Sequence, residues 1–226
     1  MAKKKEDTIV DVAQAYSKTE SFVNNNGKNI SIAILIGILI GLAIFAVNKF
    51  YLEPQHFEAE EEMYKAEYWM SQGQDTLALN GDGEYLGLYD IADEYNGTPT
   101  ADRANYLIGT YHLQNEEFDE AIEYLSLASF NDNITEAVRL GAIGDAMVEL
   151  GDLEGGISQY EKAIDYSYNE FSAPMYLKKK GLCCEEIGNY SCALDAYKKI
   201  DLDFGTNTEG RDIGKYIARV EAKMAE

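Results

Sequence analysis

The chain has 226 residues and a formal net charge of −21 at pH 7, because 40 acidic residues outnumber 19 lysines and arginines. So acidic a chain repels the phosphates of nucleic acids and the headgroups of anionic lipids, which excludes nucleic-acid binding as a function. Three prolines occur, and apolar residues recur at helical spacing, so we expect a folded helical protein and not a disordered one.

An uncharged apolar segment, ISIAILIGILIGLAIFAV, occupies residues 30–47. As a helix it would rise about 27 Å, which nearly matches the ~30 Å hydrocarbon core of a bilayer. The apolar core of a cleaved signal peptide is shorter, and a buried helix of a soluble protein keeps one polar face. The segment therefore predicts a permanent transmembrane helix, which we place at 30–52.

The charges on either side of this segment predict its orientation. Residues 1–29 carry five lysines and four acidic residues, whereas Lys49 and then five glutamates follow the segment. Positive flanks stay in the cytoplasm. We therefore expect a cytoplasmic segment at 1–29 and a domain at 55–226 on the far side of the membrane.

Two glycines, Gly37 and Gly41, stand one turn apart within the apolar segment. Small residues at this spacing let a second membrane helix approach closely, so they are candidate helix–helix contacts. Glycine is also common in membrane helices that make no such contact, and the sequence leaves both interpretations open.

Three stretches of the following domain share one pattern. They are QNEEFDEAIEYLSLA (114–128), LGDLEGGISQYEKAI (150–164) and IGNYSCALDAYKKI (187–200). In each, a small residue stands four places before a large one, and an upstream glycine recurs at the same spacings of 35 and 37 residues. We expect the large residue to fill the gap between neighbouring hairpins. The small residues expected to face each other are Gly109 and Ala121, Gly144 and Gly156, and Gly181 and Ala193.

This pattern resembles the tetratricopeptide repeat, a helical hairpin of about 34 residues. Other residues replace the tyrosine of that family here, among them His112, which we interpret as a buried core imidazole. The resemblance implies an all-α fold, in which one transmembrane helix precedes a tetratricopeptide-repeat α-solenoid with a C-terminal capping helix. We place an atypical hairpin at 57–95, with helices at 57–72 and 84–95 joined by a long loop, repeats at about 102–135, 137–170 and 174–207, and the cap at 209–226.

The sequence contains no phosphate-binding loop, nucleophile elbow or zinc-ligand pair. We therefore predict no enzymatic activity and no cofactor. Lys178, Lys179 and Lys180 are interpreted as a solvated helix face. Cys184 and Cys192 lie on the two helices of one hairpin at a spacing that suits a disulfide, although small cysteines also pack well without one.

Protein contact is therefore the predicted function, because stacked helix pairs present a concave surface to peptides or partner helices. Tyrosines, aliphatic residues and charges from the first helix of each pair would line that surface. The candidate residues are Arg103, Tyr106, Thr110, Leu113, Val138, Asp145, Val148, Met175, Lys178, Leu182 and Glu185.

Three longer stretches carry a second resemblance. LALNGDGEYLG (77–87), LGAIGDAMVELGDLEGG (140–156) and EGRDIGKYIARVEAK (209–223), together with the span and the repeats, resemble the YfgM-like ancillary subunits of the bacterial SecYEG translocon. The resemblance covers nearly the whole chain. It implies an inner-membrane protein with 55–226 in the periplasm, where it would join PpiD, a membrane-anchored chaperone, at the translocon and assist emerging polypeptides.

Two other functions stay open on the sequence. One is a membrane-anchored tetratricopeptide scaffold for envelope or outer-membrane assembly that works without the translocon. The other is a mitochondrial receptor with cytosolic repeats, which the charge bias around the span opposes.

One triplet, Asp75-Thr76-Leu77, resembles the Asp-Ser/Thr-aliphatic motif that some periplasmic O-glycosylation systems modify. Thr76 is therefore a candidate glycan site in a loop that we expect to be exposed. The alternative is that this loop carries no modification.

Overall fold

The computed structural model describes residues 12–47, 49–50 and 53–225. The lysines at the start of the predicted cytoplasmic segment lie outside these residues. The chain divides into two compact units, Met1–Gln55 and His56–Glu226. The elements in the described ranges are all helices.

The first unit is built around one helix, α1 (Val12–Val47). Its part Asn25–Val47 is 23 residues long and contains an 18-residue stretch with a mean hydropathy of 3.0, none of which is buried. This part is long and apolar enough to cross a membrane. The helix begins well before residue 30, because no proline interrupts the residues that precede the apolar segment.

The second unit opens with a hairpin that differs from the predicted one. Its elements are α2 (Glu53–Ser71), α3 (Asp75–Asn80) and α4 (Leu88–Glu94). Met63 of α2 and Leu88 of α4 are fully buried in one core. The predicted long loop is partly helical, because burial of Ala78 and Leu79 stabilises the short helix α3. The second helix of this hairpin, α4, begins at Leu88 and not at residue 84.

Three helical hairpins follow in chain order. They are α5 (Pro99–Gln114) with α6 (Phe118–Leu127), α7 (Asn133–Glu149) with α8 (Leu153–Tyr166), and α9 (Ala173–Glu186) with α10 (Tyr190–Phe204). Asp132, Asp152 and Asn189 each cap a helix by accepting a hydrogen bond from the backbone N–H three residues later. Glu117, which precedes α6, makes no such capping bond.

The glycine of each first helix packs against the large residue of the second helix in the same hairpin. A Cβ atom on Gly109 would lie 2.6 Å from Leu125 Cγ, and one on Gly144 would lie 2.7 Å from Tyr160 Cε1. The equivalent glycine of the third hairpin, Gly181, meets the ring of Tyr197. The large residues therefore fill a gap inside their own hairpin, which differs from the expectation that they would lie between hairpins.

Tyr160 also reaches the next hairpin, where its ring stacks on Tyr176 with centroids 6.0 Å apart. The expected approach of small residues is present in the second hairpin, since a Cβ atom on Gly156 would lie 3.2 Å from the carbonyl oxygen of Gly144. One large side chain thus links two hairpins, while two small residues let the helices of one hairpin meet.

The C-terminal cap consists of two helices, α11 (Thr208–Arg211) and α12 (Ile213–Met224), where the sequence predicts one. The chain breaks at Asp212 because the preceding turn is fixed from both sides. The side chain of Asn207 accepts a hydrogen bond from the N–H of Gly210, and Gly210 is packed against the backbone at the end of α10. Ile213 and Val220 then bury the inner face of α12.

Candidate partner-binding cleft

A cleft of about 720 Å³ opens where the C-terminal ends of α5, α7 and α9 lie side by side. Its walls come from all three repeats, and it has apolar, acidic and basic members. The lining residues are Leu113, Gln114, Glu116, Phe118, Asp145, Val148, Glu149, Tyr160, Lys179, Leu182, Cys183 and Glu186.

Apolar side chains contributed by each of the three first helices line the cleft. They are Leu113 of α5, Val148 of α7 and Leu182 of α9. Leu182 is 41% exposed. These three residues give the cleft an apolar surface that a partner side chain can cover.

A charged cluster stands beside this apolar surface. Lys179 Nζ donates to both carboxylate oxygens of Asp145 at 2.7 Å, and Tyr160 Oη donates to Asp145 Oδ1 at 2.7 Å. Burial, reinforced by the hydrogen bond to the Asp145 carboxylate, raises the pKa of Tyr160, so this hydroxyl stays a donor. The positive charge of Lys179 is therefore already compensated inside the protein.

Three more carboxylates in the cleft lack such compensation. Glu116, Glu149 and Glu186 are exposed and make no ion pair with any residue that the structure describes. Glu149 and Glu186 are the final residues of α7 and α9. The cleft is therefore acidic, with its one lysine bound internally.

Four of the residues predicted to line a concave surface lie in this cleft: Leu113, Asp145, Val148 and Leu182. The structure places the other seven elsewhere. Thr110 lines a smaller cavity of about 410 Å³ between α2 and α5, Val138 is half-buried, and Met175 packs against the core of the later hairpins.

Two of the predicted surface residues, both on α5, are engaged by neighbouring parts of the protein. Arg103 forms ion pairs with Glu60 and Glu67 of α2, at 2.9 and 2.5 Å. The Tyr106 ring packs edge-on against Phe130 with centroids 5.5 Å apart. These side chains hold the repeat to its neighbours and are not free for a partner.

Glu185 is also occupied, contrary to the prediction that it faces the groove. Its side chain is 8% exposed. It accepts hydrogen bonds from Tyr197 Oη at 2.8 Å and from Arg219 Nε at 2.9 Å. Burial alone would raise the pKa of Glu185, but these bonds and the charge of Arg219 lower it below its ordinary value. Glu185 therefore fastens the capping helix α12.

The interpretation of three consecutive lysines as a solvated face is wrong for this structure. Lys178 lies over the ring of Tyr216 at 5.5 Å, and Lys180 pairs with Glu161 at 2.6 Å. Lys179, already described, enters the cleft. Each lysine points to a different helix because consecutive residues on a helix are about 100° apart.

Sequence reasoning missed most of the acidic members of the cleft. Glu149 and Glu186 are spaced by 37 residues, the same interval as Gly144 and Gly181, so their repetition was a visible signal. Phe118 and Glu116 carried no such signal, since the first hairpin turns into α6 with a different sequence from the other two.

The third hairpin contains a disulfide between Cys184 and Cys192, whose Cα atoms are 5.8 Å apart. Cys183 is a free buried thiol that lines the cleft. Burial raises the pKa of Cys183, so the group is held as a neutral thiol.

The imidazole of His112 is 8% exposed and both of its nitrogens have partners. Nε2 lies 2.9 Å from Tyr89 Oη and Nδ1 lies 2.6 Å from Glu117 Oε2. The ring also stacks on Tyr124 with centroids 5.6 Å apart. This arrangement is that of a satisfied core histidine. Within the described ranges, no cluster of three histidine, cysteine or acidic side chains could hold a metal ion.

Thr76 is exposed, but it does not lie in the predicted loop. It occupies the first turn of α3, where its carbonyl oxygen accepts a hydrogen bond from Asn80 Nδ2 at 3.0 Å. The hydroxyl is therefore presented on a short helix.

Comparison with known proteins identifies the fold. No protein-family model and no curated protein matches the chain. Among solved structures, the MamA protein is similar with a TM-score of 0.53 and 17% identity, over 74% of this chain and 92% of MamA. PcrH in complex with the chaperone binding region of PopB has a TM-score of 0.43 and 16% identity, over 56% of this chain and 97% of PcrH.

The likeness to MamA, a helical protein of the tetratricopeptide type, establishes the class of fold. The chain is an all-α protein in which one N-terminal apolar helix precedes a tetratricopeptide-type solenoid. The likeness to PcrH is too weak to add a structural argument.

Proposed function

We propose that this protein is a non-enzymatic interaction subunit, anchored by α1 in the inner membrane, that serves the SecYEG translocon. Its repeats would lie in the periplasm, bind a PpiD-like membrane chaperone and assist polypeptides as they emerge. The proposal rests on the sequence resemblance to the YfgM-like subunits and is supported by the fold and the cleft.

One observation carries the interaction function. A single chain combines an uncovered candidate membrane span of 23 residues with a solenoid whose first helices leave a cleft of about 720 Å³ open. An anchor and an open protein-binding surface are the two parts that a membrane-bound interaction subunit requires.

Two features support placement of the repeats outside the cytoplasm. Residues before the span carry a net positive charge, whereas glutamates follow it, as expected for a cytoplasmic N-terminus. The disulfide between Cys184 and Cys192 suits an oxidising compartment such as the periplasm.

The membrane helix would provide a second contact with the same assembly. A Cβ atom on Gly37 or Gly41 would meet nothing within 4 Å, so this face is open to a neighbouring helix. Two tethered contacts reinforce each other, because the second forms at high effective concentration once the first has formed. Each contact can then be weak, which suits a subunit that must release its substrates.

Co-purification in mild detergent tests this proposal. Full-length protein should carry PpiD-like and SecYEG subunits, identified by mass spectrometry. Gly37→Leu with Gly41→Leu should reduce their yield, whereas Ile36→Leu with Ile40→Leu, on the same helix, should not. If neither partner co-purifies with the wild-type protein, the translocon function is wrong.

Protease accessibility tests the orientation separately. Protease added to spheroplasts should digest the repeats and spare the N-terminal segment. Protection of the repeats would place them in the cytoplasm and contradict the proposal.

A glycan on Thr76 is a minor part of the same proposal, because its hydroxyl is exposed on α3. The intact mass of native protein should then exceed that of the bare chain, and Thr76→Val should abolish the excess. A wild-type mass equal to that of the bare chain would exclude the modification.

A further inference from the structure

We propose that the cleft at the C-terminal ends of α5, α7 and α9 receives a cationic segment of a partner protein, in which an apolar side chain is flanked by lysines or arginines. This inference rests on the proposed interaction function and specifies the chemistry that its binding surface selects.

The apolar part of the partner is indicated by the floor of the cleft. Leu113, Val148 and Leu182 come from three successive repeats and face one volume of about 720 Å³. That volume is as large as the pockets of about 300–1,000 Å³ that hold small molecules, so it can hold a side chain. An aliphatic side chain placed there would remove Leu182, now 41% exposed, from water.

The cationic part is indicated by the carboxylates around this floor. Glu116, Glu149 and Glu186 are exposed and have no ion-pair partner among the described residues, while Lys179 is already bound by Asp145. A segment with lysine or arginine on each side of its apolar residue can reach these carboxylates. Complementary charges of this kind speed association and select against wrong partners.

The helix ends make the same site more negative. Glu149 and Glu186 are the final residues of α7 and α9, where the helix dipole already places partial negative charge. Neither helix has a basic residue in its last turn. A carboxylate at a helix C-terminus is unfavourable for the isolated helix. That both α7 and α9 end in a glutamate therefore points to a bound cation.

The charge also decides between kinds of occupant. A second copy of this chain would bring a formal charge of −21 to an acidic cleft and would be repelled. Anionic lipid and nucleic acid are opposed for the same reason. A positively charged protein segment is the occupant that matches both the floor and the charged rim.

The test uses full-length protein in uncharged detergent micelles. The probe is a fluorescein-labelled peptide of leucines flanked by lysines, and its fluorescence anisotropy is followed as protein is added. Titration with empty micelles gives the background. Binding should saturate and weaken as salt is raised, because exposed charges are screened.

Variants of the cleft and of the peptide locate the binding. Glu149→Gln with Glu186→Gln should weaken binding about three- to tenfold, and Leu182→Ser about tenfold. The matched control, Glu154→Gln with Asp201→Asn, removes two exposed carboxylates outside the cleft and should change binding by less than about twofold. Replacing the peptide lysines by glutamates should abolish binding.

Three outcomes would overturn the inference: equal binding of lysine and glutamate peptides, equal loss in the cleft and control variants, or no effect of Leu182→Ser. Circular dichroism confirms that each variant is folded. If SecYEG and PpiD-like subunits still co-purify while the peptide binds outside the cleft, only this inference fails. If the peptide binds in the cleft but neither subunit co-purifies, only the translocon function fails.

Discussion

The two junctions between successive repeats are built from different chemistry. Between α6 and α7 the connection is fixed by a buried ion pair, Arg139 with Glu136, each 8% exposed. Arg139 Nη1 donates to the carbonyl of Leu125 at 2.8 Å, and Glu136 Oε2 accepts from the N–H of Phe130 at 3.0 Å. One charged pair thus satisfies a carbonyl of α6 and an N–H of the segment that connects α6 to α7.

Between α8 and α9 the corresponding connection is fixed by neutral groups. Asn169 Oδ1 accepts from the N–H groups of Phe171 and Ser172 at 2.7 and 2.8 Å. Asn169 Nδ2 donates to Ser167 Oγ at 2.6 Å, and Ser172 Oγ donates to the carbonyl of Ser167 at 3.2 Å. Both junctions join the second helix of one repeat to the first helix of the next. They differ in whether the buried groups are charged, so their difference in sensitivity reports the effect of buried charge on stability.

The largest effect is expected from breaking the charged junction on one side. Arg139→Met leaves the Glu136 carboxylate buried without its partner, which costs about 3–5 kcal/mol in the free energy of unfolding. Urea titration of the full-length protein in detergent, followed by circular dichroism, measures this loss. Arg211→Met, which removes an exposed arginine, is the control and should change stability by less than about 0.5 kcal/mol.

A double variant that lacks both charges distinguishes the cost of an unpaired buried charge from the cost of lost packing. Arg139→Met with Glu136→Leu should recover part of the loss, because no uncompensated charge then stays buried. If the double variant loses as much unfolding free energy as Arg139→Met and Glu136→Leu lose when added together, packing and not the ion pair stabilises the junction.

A smaller effect is expected from pH, since protonation of Glu136 leaves both side chains in place. Burial would raise the pKa of Glu136, but hydrogen bonds from Arg139 and Phe130 and the charge of Arg139 lower it below its ordinary value. A lowered carboxyl pKa contributes stability above the unfolded pKa and loses it as pH falls through the folded pKa. Stability at this junction should therefore fall on acidification below about pH 4.5.

The contribution of Asp102 to stability has the opposite pH dependence. Burial raises its pKa, against the hydrogen bond from the N–H of Ser129, so Asp102 favours the folded state as pH falls. Unfolding free energies of the wild type and of Glu136→Gln, measured from pH 7 to pH 3, isolate Glu136 by difference. A difference that does not change with pH would contradict the prediction.

A moderate effect is expected from breaking the neutral junction. Asn169→Ala removes the acceptor for two backbone N–H groups at the start of α9, and it should lower the free energy of unfolding by about 1–2 kcal/mol. Asn131→Ala, in the other junction, is the control because Asn131 is exposed. A loss as large as that of Arg139→Met would show that neutral and charged junctions are equally sensitive.

The sequence predicts the repeated pattern of small and large residues, but not the partners that polar side chains find in neighbouring repeats. The glycine spacings of 35 and 37 residues locate the three hairpins, because a glycine is needed wherever a tyrosine ring or a leucine crosses a helix. Arg103 and Glu185 fit the same helical register as Leu113, yet they bind partners 43 and 34 residues away. Long charged side chains reach neighbouring repeats, and periodicity within one repeat does not reveal those partners.

The turns inside the three hairpins differ in the residue that adopts a positive φ. After α7 and α9 the chain turns through Gly151 and Gly188, at φ values of 85° and 75°, and after α5 it turns through Glu116 at 63°. In all three turns the N–H of the following residue donates to a carbonyl of the last helical turn, at 2.8–2.9 Å. The first turn therefore adopts the glycine conformation with a residue that has a side chain.

Glu116→Gly should therefore stabilise the protein. A residue with a Cβ atom in the left-handed region costs about 1–2 kcal/mol, and the greater freedom of glycine in the unfolded chain offsets about half of that gain. The free energy of unfolding should rise by about 0.5–1 kcal/mol. Glu116→Gln separates strain from charge, since it keeps the Cβ atom and removes the carboxylate, and it should leave stability nearly unchanged.

Gly151→Ala imposes the same strain on the second hairpin and should lower stability by about 1 kcal/mol. If Glu116→Gln stabilises as much as Glu116→Gly, repulsion among the cleft carboxylates, and not backbone strain, distinguishes the first turn.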